Sequence, residues 1–309
     1  MKILVTGGAG FIGSHVADAF IEQGHEVVIV DNLSMGRMEN VNPQAKFVNM
    51  NIQNPQIAEL FENEGFDVVN HHAAQMDVRL SVADPIFDAQ NNIFGTINLL
   101  QAAQKNGVKK IIFISSGGAI YGEQDYFPAD EEHPTRPLSP YGITKLTGEK
   151  YVQFYQHVYN LNFVILRYAN VYGPRQNPKG EAGVVAIFSS RMLTGGQPVI
   201  NGDGLQTRDY VFVRDVVNAN LKALDYEESN YFNIGTGIET TVNELFHELN
   251  HLTNANAKEV HRAAQPGEQM RSVLNIEKAK KILNWTPQMS LNEGLAKTVE
   301  YFKQYHHEK

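Results

Sequence analysis

Tyr141 and Lys145 stand four residues apart, which on a helix puts both side chains on one face, one turn from each other. A phenol with an ordinary pKa of about 10 is a poor base at neutral pH, but a neighbouring ammonium favours the phenolate. Such a pair could take a proton from a substrate hydroxyl. Ser139 and Pro140 suit the cap and first position of that helix, placing Tyr141 in its first turn. The pattern is a cheap one. Tyr305 and Lys309 repeat it at a charged tail where order is not expected, so context must separate the two copies.

The context begins at Lys2, where Ile3, Leu4 and Val5 continue a short apolar run of the kind found in buried parallel strands. Gly7, Gly10 and Gly13 follow, then a helical stretch to about Gln23, then a second strand from Glu26 to Val30 closed by Asp31 and Asn32. Gly7 and Gly10 suit a tight turn against a pyrophosphate, and Gly13 close packing of helix on sheet. The amides of the helix start, at Phe11 and Ile12, favour phosphate. Asp31 suits both ribose hydroxyls of an adenosine and would repel a 2′-phosphate, which favours NAD over NADP.

Strand and helix patterns go on alternating. Strands are expected at 46–50, 66–70, 110–115 and 162–167, and helices at 57–64, 88–106 and 141–160. This is the pattern of an α/β protein with a doubly wound Rossmann-type parallel sheet, whose ligands sit beyond the carboxyl ends of the strands. The glycine turn, Asp31, His72 to Gln75, and Ser115 to Gly118 all fall at such ends. The first Tyr-x-x-x-Lys lies on a helix that follows these strands, and the tail copy does not. A cofactor domain over residues 1–169 is expected, completed by parts of 210–236. Residues 170–309 would mainly form a smaller α/β substrate-binding domain.

Composition bounds the function. The chain has 309 residues, 42% hydrophobic and 19% charged, an ordinary globular make-up. A net charge of −8 argues against a nucleic-acid or anionic-membrane partner. The absence of cysteine excludes disulfides and thiolate chemistry and is compatible with a reducing cytoplasm. A strand starting at Lys2 leaves no room for a leader, and no apolar run is long enough for a bilayer. The sequence from His247 to His251 matches the zinc-protease pattern His-Glu-x-x-His. Val242, Leu245, Phe246, Leu249 and Leu252 make the apolar stripe there, so both histidines are expected on the solvated face. The His71–His72 pair is likewise read as a strand-end turn. No metal is expected.

Taken together, the motifs resemble the extended short-chain dehydrogenase/reductases, and within them the UDP-galactose (UDP-glucose) 4-epimerases. The resemblance covers nearly the whole chain. It rests on Thr6 to Gly13, Asp31 to Leu33, Ser115 to Gly122, Tyr141 with Lys145, and Leu166 to Arg175, with Gln206 to Tyr210 and Pro266 to Glu268 in support. It implies 4-epimerisation of a UDP-hexose by tightly bound NAD, through a transient 4-keto sugar. Tyr141 would be the base, and Lys145 would hold the nicotinamide ribose and, with the nicotinamide's charge, depress the tyrosine pKa. Asn32, Asn51, Ile52, His72, Ala73, Ala74, Asn92, Ser115 and Tyr168 would lie at the cofactor. Asn170 and Arg208 would contact the diphosphate, with Val184, Val185, Val199 and Asn201 around uracil and Glu268 nearby. A homodimer through the 88–106 and 141–160 helices is also implied.

Three departures from the family pattern stand out. Gly117 occupies the place of the usual catalytic serine or threonine, so Ser116 is the expected substitute and Ser115 the fallback. Gln265 replaces an arginine, and Arg271 or Arg262 is expected to supply the missing charge on the diphosphate. Asn51 replaces an aspartate near the adenine. Ser272 falls where some relatives carry a bulky side chain near the sugar's C2 substituent, so room for an N-acetyl group is expected. A dehydratase would need an acid pair where Gly118 and Ala119 stand. A UDP-glucuronate epimerase or decarboxylase could use the same residues, and a non-catalytic NAD-binding sensor is the alternative from another class.

Overall fold

A computed structural model of the chain describes residues 1–178, 183–264 and 269–307. Seven parallel strands form the central sheet: β1 (Lys2–Thr6), β2 (Glu26–Asp31), β3 (Lys46–Asn49), β4 (Val68–His71), β5 (Lys110–Ser116), β6 (Asn162–Tyr168) and, from later in the chain, Asn230–Ile234. Their order is Asn230–Ile234, β6, β5, β4, β1, β2, β3. The chain therefore runs outward from β1 to β3, then crosses back to β4 and runs the other way. The reversal between β1 and β4 opens a crevice at their carboxyl ends.

Successive side chains on a strand face opposite sides, and the two apolar cores follow from that. Ile3 and Val5 pack with Val16, Ala17 and Phe20 of α1 (Phe11–Glu22) and with Val216, Ala219 and Ala223 of the helix Val213–Asp225. Leu4 packs on the other face, with Ile57 and Phe61 of α2 (Ile57–Glu64) and Leu99, Leu100 and Ala103 of the helix Gly95–Lys105. Both faces are covered, which is why the strands read as nearly continuous apolar runs.

Between β4 and β5 the chain makes α3 (Val78–Ala83), α4 (Pro85–Ala89), a π-helical turn over Gln90–Phe94 and α5 (Gly95–Lys105). A helix over 88–106 was expected, and the chain is helical without a break from Pro85 to Lys105, with the π turn inside it; α3 was not expected. The two short helices are each capped by an aspartate, Asp77 accepting from the Arg79 and Leu80 amides and Asp84 from that of Phe87. After β5 come a single helical turn, α6 (Gly117–Ile120), and then α7 (Pro140–Tyr159).

A third core lies outside the sheet. It joins α8 (Val184–Leu193), α10 (Val242–Thr253) and α12 (Leu291–His307), which supply Val185, Phe188, Leu245, Phe246, Leu295 and Val299, with Val213 from the start of α9 (Val213–Asp225); α11 (Glu277–Ile282) packs its Ala279 on the sheet instead. Phe11 of α1 joins the same cluster and so ties the two regions together. The residues expected as a charged tail are thus the ordered helix α12. Ser290 and Glu293 cap it reciprocally, amide to side chain in each direction. Short strand pairs complete this region: Asn170–Tyr172 with Tyr210–Phe212, Thr207–Arg208 with Thr240–Thr241, and Ile200–Asn201 with His261–Arg262.

Candidate active site

The glycine turn fits an anionic ligand by its lack of side chains. Gly7 has φ +69°, and a Cβ there would stand 2.7 Å from the Ala73 nitrogen. A Cβ at Gly13 would meet the Gly7 carbonyl oxygen at 2.3 Å. Only glycine lets β1, the turn and the residues after β4 come so close. Asp31 ends β2 beside this turn. Its carboxylate accepts the Ala9 amide at 3.0 Å and the Leu33 amide at 2.8 Å. A carboxylate offers about four acceptor positions, so it retains acceptors for a ribose. Burial raises its pKa, and the two amides oppose that. Asn32 and Asn51 close local turns, accepting from Ser34 and Gln53 respectively.

At the ends of β4 and β5, three buried polar atoms have no partner: Asn70 Oδ1, His72 Nε2 and Ser115 Oγ. Burial, with Lys145 as a second cause, lowers the His72 pKa to about 3, so the ring is a neutral group at neutral pH. His71 is different. Its two ring nitrogens lie 2.7 Å from Thr6 Oγ1 and 2.9 Å from Thr96 Oγ1, which commits it to the core.

Helix α7 brings Tyr141 and Lys145 to the same edge. Its cap is the Ser139 hydroxyl, which accepts the Gly142 amide at 3.2 Å, with Pro140 next in line. Gly148 lets the helix lie close on β5, since a Cβ there would stand 2.5 Å from the Phe113 ring. Lys145 is 5% exposed, its ammonium 5.2 Å from the centre of that ring. The Ser116 hydroxyl acts on the Tyr141 phenol and lowers its pKa. Ser116 is therefore brought to the tyrosine and Ser115 is not.

Burial dominates the electrostatics of this pair. Burial pushes Tyr141 up to about 12; the Ser116 hydroxyl lowers it and Asp88 raises it. Burial brings Lys145 down to about 8, against the pull of Asp88 and Glu149. With the protein's own groups alone, the lysine does not make the tyrosine a base at neutral pH.

Other assigned residues divide into those gathered at this edge and those turned away. A Cβ on Gly118 would lie 3.6 Å from Asn170 Oδ1 and 4.0 Å from both Ser116 Oγ and Ser272 Oγ, so these three side chains converge. Asn92, expected at the cofactor, instead spends its amide inside the protein, on the Gln75 carbonyl, Asp88 and Thr144. Tyr168 turns its ring into the core, with its hydroxyl accepting from Asn220 at 2.6 Å, so only its backbone lies at the strand end. Ile52 is also a core residue, packed against Gly95.

In the outer region, Val185 is buried between helices, while Val184 and Val199 are half-buried. Asn201 accepts from Arg262 Nε at 2.6 Å. Arg208 donates to the Thr207 carbonyl at 2.7 Å. Arg271, expected to offer its charge to a diphosphate, is held by both Glu239 oxygens at 2.9 and 2.7 Å and lies over the Phe127 ring. A carboxylate already balances that guanidinium. Glu268 and Gln265 lie outside the described residues. His247 and His251 face away from the buried side of α10, and His247 pairs with Glu259 at 2.9 Å.

Residues 3–235 match the NAD dependent epimerase/dehydratase family. The chain belongs to that family. Among its relatives, the putative UDP-glucose 4-epimerase of Methanocaldococcus jannaschii is 48% identical over 301 residues, 97% of this chain and 98% of the relative. A solved UDP-glucose 4-epimerase from Thermotoga maritima, with UDP-glucose, is 50% identical, covers 99% of this chain and 100% of that one, and superposes with a TM-score of 0.98. The Thermus thermophilus UDP-glucose 4-epimerase, in complex with NAD, is 40% identical over 98% of this chain and 99% of that one, with a TM-score of 0.93.

Sequence reasoning missed one part of this family member's site. Asp88 and Thr144 join Gln75, already placed at a strand end, in a largely buried polar cluster beside Tyr141 and Lys145. The available signal was Asp88 and Asn92 at helical i, i+4 spacing with Gly95 behind them, polar residues on a face that must be buried.

Proposed function

We propose that this protein is an NAD-dependent UDP-hexose 4-epimerase, acting on UDP-glucose and UDP-galactose. The observation that carries this is Tyr141 beside the Ser116 hydroxyl, one helical turn from a buried lysine and at the same sheet edge as the glycine turn and Asp31. The residues fit the cofactor. The glycine cradle and the start of α1 suit the pyrophosphate, Asp31 the adenosine ribose, and the unpartnered Ser115 and His72 atoms the middle of the crevice. Bound there, NAD would supply the hydride acceptor at the sugar's C4 and a positive ring that favours the Tyr141 phenolate.

The chain's own residues supply the rest. Tyr141 takes and returns the proton of the 4-hydroxyl. Ser116 bridges the phenol and that hydroxyl, and Lys145 holds the cofactor's ribose beside them. Asn170 and Arg208 support the diphosphate, with Val184, Val199 and Asn201 toward the base. Residues 1–169 with 210–236 serve as the cofactor lobe and the remainder as the sugar-nucleotide lobe.

Ser272 favours a wider substrate range. It is 2% exposed and small, and it converges with Ser116 and Asn170 on the space beside Gly118. An N-acetyl group on C2 is therefore read as acceptable. A homodimer in the cytoplasm, without nucleic-acid or membrane partners, completes the reading. The charge of −8 supports it, and no helix among the described residues is long and apolar enough to cross a membrane.

The test is incubation of purified protein with UDP-glucose, UDP-GlcNAc and UDP-glucuronate, with the 4-epimers resolved by chromatography. Conversion of UDP-glucose is expected, and of UDP-GlcNAc alongside it. Tyr141→Phe is expected to lower turnover at least about 100-fold while NAD stays bound. Selective conversion of UDP-glucuronate would overturn the substrate assignment, and an active Tyr141→Phe the base.

A further inference from the structure

Asp88 is wholly buried, with 0% exposure, yet no role in the reaction above uses it. Its Oδ1 accepts from Gln75 Nε2 at 2.8 Å and from Asn92 Nδ2 at 3.1 Å. Its Oδ2 accepts from Thr144 Oγ1 at 2.8 Å. Thr144 lies between Tyr141 and Lys145 on α7 and also reaches the Tyr141 carbonyl at 3.0 Å. All three donors are neutral. A buried carboxylate with only neutral donors keeps a strong field, and such a charge is expensive unless a cation stands near.

The surroundings name that cation. The bond from Thr144, the residue before Lys145 on α7, holds the Asp88 carboxylate beside that lysine, and Asp88 and Glu149 are the two carboxylates that favour its ammonium. Glu149, further along α7, is already spent on Arg167 of β6, at 3.0 and 2.7 Å. From the end of β4, His71 and His72 face the lysine as neutral rings, their pKa values lowered first by burial. From β5 it meets the Phe113 ring. Tyr141 on its own helix is held as a phenol. Of the charged groups acting on Lys145, Asp88 is thus the carboxylate without an ionic partner of its own.

We propose that Asp88 is a positioning residue that serves as the interior counter-charge of Lys145, keeping the lysine an ammonium and, through Thr144, setting the first turn of α7. This rests on the reading of Tyr141 and Lys145 as the acid–base pair, but its physical core is independent of turnover. A desolvated lysine tends to lose its proton, and a neutral amine would neither hold a ribose as firmly nor favour a phenolate. Asp88 opposes that loss. The same negative charge disfavours the Tyr141 phenolate, so it keeps the phenol protonated until another positive charge arrives. Removing Asp88 should lower both pKa values together.

The experiment is a pH titration of Lys145 by side-chain 15N–1H spectra, its signal assigned by loss in Lys145→Arg. Asp88→Asn is expected to lower the midpoint by about one unit or more. Asp88→Ser removes the same charge and should give the same shift if the asparagine variant folds poorly. Thr144→Val keeps the charge and should leave the midpoint in place while lowering kcat. NAD content after purification should fall several-fold in Asp88→Asn, and both limbs of its pH–rate profile should move to lower pH. An unmoved midpoint in the Asp88 variants, or an equal shift in Thr144→Val, would overturn the proposal. A wild-type protein that converts no UDP-hexose would defeat the functional reading instead, and the lysine titration would still decide this one.

Discussion

Gly117 and Leu274 explain why the hydroxyl that meets Tyr141 is Ser116. A Cβ on Gly117 would stand 2.7 and 3.0 Å from the two Leu274 methyl carbons and 3.4 Å from the Arg167 carbonyl oxygen. Leu274 has 0% exposure and packs with Ile120, Tyr121 and Ala129, so it has little room to yield. Gly117→Ser should therefore destabilise the fold by about 1–3 kcal/mol through overpacking. It should also fail to rescue Ser116→Ala. Thermal melts and turnover of the single and double variants check this, and recovered activity in the double variant would reject it.

Lys145 carries a second prediction at this scale. Its folded pKa, near 8, lies below its ordinary value of 10.5. The penalty is fully present below pH 8, where both states hold the proton, and vanishes as pH rises to 10.5. Lys145→Met should thus gain about 3 kcal/mol of stability at pH 7 while losing activity. Urea melts at pH 7 and pH 10.5 should show that gain shrinking; a constant difference would place its origin elsewhere.

At the scale of elements, the parallel strands were legible because burial on both faces leaves almost nothing but apolar residues, as in Lys2–Thr6 and Lys110–Ser116. The Tyr141–Lys145 helix was legible from its cap and spacing. Asp88 was not, because its partner Thr144 is 56 residues further along the chain and only the fold brings them together. Helix α12 was missed for another reason. Leu295, Val299 and Phe302 do recur at helical spacing, but Glu293, Lys297, Glu300 and Lys303 around them read as a solvated tail. Its stripe is needed only once α8 and α10 are in place.

That helix reaches the cofactor side. Tyr305 stacks on Tyr301, and its hydroxyl accepts from Arg37 Nη1 at 2.6 Å. The Arg37 amide in turn donates to the Ala9 carbonyl inside the glycine turn, at 2.9 Å. The tyrosine dismissed as a chance copy of the motif thus braces the loop beside Asp31. Tyr305→Phe keeps the ring and removes the hydrogen bond. It should weaken NAD retention by about 1 kcal/mol, roughly five-fold, with the KM for the sugar nucleotide unchanged. Cofactor release after dilution measures it, and unaltered release would confine Tyr305 to local packing.

At the scale of the whole molecule, α7, which bears Tyr141 and Lys145, and the short helices packed beside it expose apolar side chains. Ile143, Phe154 and Val158 are 52%, 48% and 48% exposed and lie along one stripe of α7. Val82 and Ile86, on α3 and α4 beside it, are 64% and 69% exposed. Isolated exposed apolar residues need no explanation, but a stripe beside others on neighbouring helices suits a partner surface. A second copy placing its own α7 and the helical run that spans 88–106 there would form the four-helix contact of the proposed homodimer. Because α7 also bears Tyr141 and Lys145, that contact would stiffen the catalytic helix from behind. Phe154→Glu with Ile86→Glu should therefore give a monomer in sedimentation experiments, with both lower stability and lower kcat than the parent. A double variant that still sediments as a dimer would move the interface to another face. A fully active monomer would show that α7 needs no partner, and that its cap, Gly148 and Thr144 suffice to hold the tyrosine in place.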